Sequence, residues 1–493
     1  MPKTIFGTTE KSNFILNMKP ETLQKWIHGV LACCIIIPLI GATVLSLMAK
    51  INYISAAMLY ATSFTCILFF LIVMLRKDMK FSDNKSYILI IALAVMAVVS
   101  YYSVLGNEPS YIKTAILGNV GRYEGLLSIL SYLGIFLLAT AVSKISTMER
   151  MLDLLVGAGA FEAVIALFQH LPFDYNPSYY ETGSTMGYRD LPTMAYQNVF
   201  LSSGLTGSPI FYGAITTLTG TIALAGAIYG TSKRRSQLYG AAALFIFLTG
   251  MFTGSVVPLI GEAAAALIIL VLCIVDSAKG GEKKTLVRTL IMVGAMAATF
   301  IIVWLTQGFY LRDRMIAFYD SVYRLFISGM TGLTDHGKGN YAYTVEFWKE
   351  QWGIAVQTAN AHPLTGVGED CITAYYGQPI NLNDKCYNEF LYIAATRGYI
   401  SMVLYAALII LTIIRLCGRM KNFFADRSNW YIPCLLAAVT AYTVQSFFNV
   451  SAITTTPFFW LTLGISWSAV GTPPRVFRDT VGTPPRVFRD TAR

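Results

Sequence analysis

Residues 360–400 read NAHPLTGVGEDCITAYYGQPINLNDKCYNEFLYIAATRGYI and gather four carboxylates, Glu369, Asp370, Asp384 and Glu389, with His362, Tyr387, Asn388 and Arg397. A carboxylate in reach of a hydroxyl can take its proton as a general base, whereas a phenol with an ordinary pKa near 10 does this poorly. Glu389, Asp384 and Tyr387 are therefore the candidate catalytic groups. An arginine meets a phosphate or diphosphate with a planar, permanently charged fork. Arg122, Arg189, Arg312, Arg314 and Arg397 are the candidate anion-binding groups. Asn388, Glu369, Asp370 and His362 complete the expected substrate-binding set. No His/Cys/Asp cluster has metal-ligand spacing, so no metal is expected. No glycine-rich phosphate loop follows a strand, so neither a nucleotide nor another cofactor is expected.

The elements that must position these groups belong to a bilayer. Hydrophobic residues make up 55% of the 493 and charged residues only 13%, about half the charge of a soluble domain. Apolar runs long enough to cross roughly 30 Å of hydrocarbon recur along the chain. Twelve spans are predicted, near 27–48, 54–75, 86–104, 125–143, 151–171, 209–229, 238–254, 257–275, 288–306, 389–414, 430–447 and 455–470. The fold class expected is an all-α polytopic membrane protein. Residues 1–26 form a polar N-terminal segment, 27–470 the transmembrane domain, and 471–493 a tail. The polar stretch before the first span does not read as a cleaved signal peptide.

Alternate connections carry 26 and 11 of the 37 Lys and Arg residues, and cytoplasmic segments hold such an excess. Both termini are thus expected in the cytoplasm. The net charge of +10 follows from this topology and from anionic inner-leaflet lipid, so nucleic acid is not expected as a partner. The long connections, about 172–208 and 307–388, fall outside. Loops of that length concentrate function.

The 360–400 segment resembles the signature region of the O-antigen ligase and polymerase superfamily, where a His-Pro-Leu-x-Gly-x-Gly turn leads to an acid and a His-Asn helix start. GNVGRYEGLLSILSYLGIFLLA resembles the Arg-Tyr-Glu-Gly-Leu entry to the fourth span, GLTGSPIFYGAITTL the start of the sixth, and QSFFNVSAITTTPFFWLTLGI the closing pair of spans. The resemblance implies a GT-C-like glycosyltransferase of the bacterial inner membrane. It would act on a polyprenyl-diphosphate-linked glycan at the outer face, with outward arginines near the diphosphate and a histidine as base, among other cell-envelope polysaccharide proteins. Three positions depart from the pattern. Tyr387 stands where the family has histidine, Val256 follows Ser255 in place of arginine, and YAYT replaces a Ser-Gly-Arg before EFWK. Alternative readings are a flippase for lipid-linked glycan and a catalytically silent, glycan-binding scaffold.

Two acids, Glu162 and Glu262, fall within predicted spans, where ionisable groups are costly. Glu162 is read as a helix–helix hydrogen-bonding group, and Glu262 as either that or part of the Arg122 cavity. Cys371 and Cys386 are the only cysteines in the long outward loop and are candidates for a disulfide. The tail repeats VGTPPRVFRDT twice in tandem, which is too short and polar to build a domain.

Overall fold

The computed structural model describes residues 18–45, 51–75, 86–107, 111–119, 122–170, 186–188, 191–196, 199–322, 345–372, 375 and 385–471. The helices are α1 (Pro20–Leu45), α2 (Ile51–Met74), α3 (Ser86–Asn107), α4 (Ile112–Leu117), α5 (Leu126–Thr140) and α6 (Ile145–His170). They continue as α7 (Pro209–Tyr229), α8 (Lys233–Met251), α9 (Val256–Ala278), α10 (Lys283–Val322), α11 (Val345–Ala361), α12 (Glu389–Ala425), α13 (Tyr431–Ser446) and α14 (Thr456–Gly471). Three short strands, β1 (Met186–Tyr188), β2 (Leu191–Tyr196) and β3 (Val199–Leu201), pair antiparallel in that order. They place a small meander, which apolar periodicity did not foretell, inside the first long connection.

All twelve apolar stretches lie on helices, and eight of these helices are long and apolar enough to cross a membrane: α1, α2, α3, α6, α7, α9, α10 and α12. The other four fall short for local reasons. Helices α5, α13 and α14 have only 15, 16 and 16 residues, and α8 opens on Lys-Arg-Arg. Most side chains of the three short helices are buried, so packing against protein, rather than apolar length, holds them.

Helix α7 lies at the centre, with 83% of its most apolar window buried, against 11% for α10 at the edge. It packs on α8, α9 and α13, while α5 is held between α2 and α14. Exposed Phe64, Leu68, Ile91, Leu267, Ile291, Ile302 and Leu305 form an apolar exterior far larger than a water-facing surface carries. Helix α10 runs for 40 residues, about 60 Å. The helix therefore continues well past 306, where the sequence predicted a loop to begin, and α11 lies within that same connection.

Helix α12 is interrupted at Gly398, whose φ of 82° and ψ of 165° are non-helical. A Cβ there would lie 2.4 Å from the carbonyl carbon and oxygen of Leu364, so only glycine fits. The break frees carbonyls that the 362–370 turn then uses. Val367 N–H donates to Ala395 O at 3.0 Å, Gly368 N–H to Thr396 O at 2.9 Å, and Tyr399 N–H to Pro363 O at 2.8 Å. Ser100 Oγ of α3 also donates to Thr396 O, at 2.7 Å. Backbone groups opened inside a bundle need such partners.

Gly398→Ala is expected to destabilise the detergent-solubilised protein by more than about 2 kcal/mol, through left-handed strain and backbone overlap. Gly157→Ala, in α6 with nothing within 4 Å of its added methyl, should be neutral or stabilising by up to about 1 kcal/mol. Unfolding of the two variants side by side checks both. Equal stabilities would mean that the turn does not depend on the break.

Candidate functional site

The turn anchored at the break delivers Glu369 and Asp370 into the protein. Gly366 (φ 66°) and Gly368 (φ 95°) allow it: a Cβ on the first would meet the Thr396 backbone at 2.2 Å, and one on the second Val104 Cγ2 at 2.2 Å. Asp370 has a positive φ of 55°, a strained conformation that surrounding bonds must hold. Its Oδ2 accepts from Asn119 N–H at 2.9 Å and its Oδ1 from the Tyr392 hydroxyl at 3.0 Å. Its own N–H donates to the Tyr392 oxygen at 3.3 Å. Burial pushes the Asp370 carboxyl up from the ordinary range, opposed by the Asn119 N–H and by the charge of Arg122.

Opposite lies the connection between α4 and α5, where Arg122 and Tyr123 both donate N–H to Asn119 O at 3.0 Å. Glu124 follows, 5% exposed. Glu124 forms its ion pair with Lys385 rather than with its chain neighbour Arg122. Lys385 Nζ also donates to Ser451 O at 2.8 Å and lies over the rings of Tyr392 and Phe211, 5.5 and 5.7 Å from their centroids. Burial holds this ammonium well below the usual lysine range, and the positive charge of Arg122 acts in the same direction.

Between these parts is a cavity of about 20 Å³, lined among others by Glu124, Glu369, Glu389, Arg397, Tyr405 and Ser451. That is room for about one water. Arg397 Nε pairs with Glu369 Oε1 at 2.5 Å, and the Thr396 hydroxyl donates to the same oxygen at 3.2 Å. Burial still raises the Glu369 carboxyl above its ordinary value, against the pull of Arg397. Glu389, at the start of α12, accepts from the Tyr405 hydroxyl at 2.8 Å through Oε1. Its Oε2 is buried with no hydrogen-bond partner. In this state the cations are matched by the protein's own carboxylates, and the cavity is closed to anything the size of a sugar.

The expected site residues divide. Glu369, Glu389 and Arg397 line this cavity, and Asp370, next to Glu369, feels the charge of Arg122. Arg397 lies eight residues into α12, beside the Gly398 break. Asn388 is the N-cap of α12, its Oδ1 accepting Leu391 N–H at 3.0 Å, which assigns that oxygen to the helix end rather than to substrate. Tyr387, with φ of 50°, joins a cluster with Trp348, Trp352, Val257 and Phe448, and its carbonyl accepts from Trp352 Nε1 at 3.4 Å. The acid cavity does not include it. His362 is edge-on to Tyr375 at 5.0 Å and lines a separate cavity with Ser103, Tyr111 and Cys371. Arg312 and Arg314 sit in the extension of α10, with undescribed side chains. Arg189, Asp384 and the tail repeat lie outside the described residues.

Both in-span acids stand apart from the acid cavity's lining. Glu162 Oε2 accepts Leu205 N–H at 2.7 Å, so it ties α6 to the loop before α7 rather than to another helix. Glu262 faces Gly250 and Thr216. Cys371 and Cys386, the candidates for a disulfide, are free thiols in this structure, in separate apolar clusters. Burial pushes each thiol up to about 12.

Lys385, Tyr392 and Tyr405 were not among the expected site residues. Lys385 was countable only as one more outward cation, because nothing in NDKCYNEF marks a lysine about to be buried. The tyrosines carried a weak signal: at Glu389+3 and Glu389+16 they sit on an otherwise apolar helix, where a buried hydroxyl needs a partner.

Two outcomes test this geometry. Lys385→Met should cost about 3–5 kcal/mol by stranding a buried Glu124 carboxylate, and the double variant Glu124→Gln/Lys385→Met should recover most of it. Unfolding of the three proteins measures the difference, and additive losses would dissolve the pair. Alkylation of the denatured, unreduced protein should modify all eight cysteines, while a Cys371–Cys386 bond would leave two unmodified. No protein-family model matches this chain, and no curated protein sequence is similar to it.

Proposed function

We propose that this protein is a membrane glycosyltransferase resembling O-antigen ligases and polymerases, which transfers or polymerises a polyprenyl-diphosphate-linked glycan at the outer face of a bacterial inner membrane. One observation carries the reading. The GRYEG, HPLTGVGED, KCYNEF and FFNVSA segments, up to some three hundred residues apart in sequence, meet around one charged, buried cavity at one end of the bundle. In this reading all twelve apolar helices cross the bilayer, the short buried ones included, and both termini lie in the cytoplasm. The cavity then opens toward the outer leaflet.

The chemistry follows from the groups present. The acceptor hydroxyl attacks the anomeric carbon, its proton passes to Glu389 Oε2, and the bond from that carbon to the diphosphate oxygen breaks. Tyr405 occupies Oε1 and leaves Oε2 to receive the proton. Polyprenyl diphosphate departs with its charge met by Arg122, Lys385 and Arg397. Two of these cations are held by Glu124 and Glu369 in the closed state, so substrate entry exchanges carboxylate for diphosphate. Lys385 takes up the anion-binding work that the family assigns to arginines missing here, and Glu389 that of the missing histidine.

Glu389→Gln should lower turnover of a polyprenyl-diphosphate oligosaccharide at least about 100-fold while binding is retained. Arg122→Ala should weaken both. Purified protein reconstituted in vesicles and assayed for chain growth or transfer gives the answer. Full activity of Glu389→Gln removes the carboxylate from the chemistry. Flipping of the lipid-linked glycan without transfer would assign a transporter instead, and binding alone a scaffold.

A further inference from the structure

A second recess, of about 470 Å³, lies between α1 and α2 and is lined by Lys25, Trp26, Gly29, Ile37, Thr62 and Thr65, among others. Its Lys25 mouth is at the end of the bundle opposite the acid cavity. Gln24, beside Lys25, accepts from Ser143 N–H at 2.9 Å and donates to Ala141 O at 3.0 Å, both at the C-terminal end of α5, whereas the acid cavity adjoins the N-terminal end. Its volume is within the range of pockets that hold small molecules.

Three features specify the occupant. From Lys25 to Ile37 the groove follows α1 for about 18 Å, close to the depth of one leaflet of a roughly 30 Å hydrocarbon core. Its walls offer no free hydroxyl at mid-depth, and the Cys33 thiol there is only weakly polar. The Thr62 hydroxyl is spent on Met58 O at 2.8 Å and that of Thr65 on Ala61 O at 3.1 Å, each within its own helix. Charge and an amphipathic ring stand at the mouth. Trp26 is 52% exposed, as rings at the headgroup level are. Lys25 makes no ion pair among the described residues, since nearby Glu21 is taken by Lys144 at 2.9 Å.

We propose that this groove seats one acyl chain of an anionic phospholipid, whose headgroup phosphate is held by Lys25. The proposal rests on the bilayer reading of the apolar helices and not on the glycan chemistry. Lys19, exposed one turn and a half before Lys25, adds to the local positive charge, and basic pockets between helices favour anionic headgroups. Gly29 opens the groove floor: a Cβ there meets nothing within 4 Å.

The test uses the full chain in bilayers of equal phosphatidylglycerol and phosphatidylcholine, extracted mildly and weighed intact with its retained lipid. The unmodified protein should keep one phosphatidylglycerol, preferred about fivefold over phosphatidylcholine. Lys25→Gln should bring the two lipids to parity. Gly29→Trp, which projects a ring from the groove floor, should lose both. Cys33, exposed in the same groove, gives an independent reading, because phosphatidylglycerol should slow its alkylation in the unmodified protein but not in Lys25→Gln. Lack of preference in the unmodified protein, or unchanged retention by Gly29→Trp, would overturn the proposal. Glycan transfer need not change in either variant, so this result and that of the transfer assay are separable.

Discussion

The break in α12 at Gly398 is the constraint on which the rest of the candidate site depends. A continuous helix would keep Ala395 and Thr396 carbonyls to itself, and the turn at 362–370 would have nothing to dock against. With the break, Val367 and Gly368 find those carbonyls, Tyr399 finds Pro363, and Glu369 arrives 2.5 Å from Arg397. One glycine thereby couples backbone satisfaction, which a bilayer makes obligatory, to the placement of a charge pair. The same coupling explains why the acid cavity sits at an end of the bundle, where helices start and stop and turns can reach inward.

The second consequence is electrostatic. Glu124, Glu369, Asp370 and Glu389 face Arg122, Lys385 and Arg397 in a region with room for about one water. Each ion is tolerable only because its neighbours compensate it, and removing one is costlier than replacing a pair. In the proposed reaction this constellation would open around a ligand that supplies the same charge. A diphosphate is a ligand of that kind, since it offers Lys385 and Arg397 what Glu124 and Glu369 offer now. The closed state and the proposed reaction are therefore two uses of one set of charges.

How far the site was legible in the sequence depends on the range of each interaction. Helices announced themselves through apolar length, and all twelve stretches lie on helices. Turn chemistry was legible too, because HPLTGVG carries Gly366 and Gly368 where positive φ requires them, and GRYEG ends on Gly125, where a Cβ would meet the Ile116 backbone. Glu369, Glu389 and Arg397 were named from residue type and neighbourhood, and they line one cavity. What escaped were relations between distant segments. Glu124 pairs with Lys385 across 261 residues rather than with Arg122 two residues away, and Tyr405 finds Glu389 only because both lie on one helix that bends between them. Length and apolar composition single out only eight of the twelve helices as able to cross a membrane, for a related reason. Helices α5, α13 and α14 are stabilised by protein on most of their surface, so nothing requires them to reach the length that lipid contact demands.

Backbone strain gives an independent reading of where this fold is constrained. Among the described residues, the non-glycine positions with positive φ are Tyr123, Asp370 and Tyr387. Each lies within two residues of a member of the charged cluster: Tyr123 between Arg122 and Glu124, Asp370 beside Glu369, and Tyr387 midway between Lys385 and Glu389. Such conformations cost about 1–3 kcal/mol apiece and persist only where surrounding contacts over-determine them. At Asp370 three hydrogen bonds do so, and at Tyr387 the Trp352 indole and an aromatic cluster. Strain gathered at three separate turns around one cavity is difficult to ascribe to packing alone, because relaxed turns would connect the same helices. It is accounted for if the position of these charges, rather than the mere closure of the loops, is what the fold maintains.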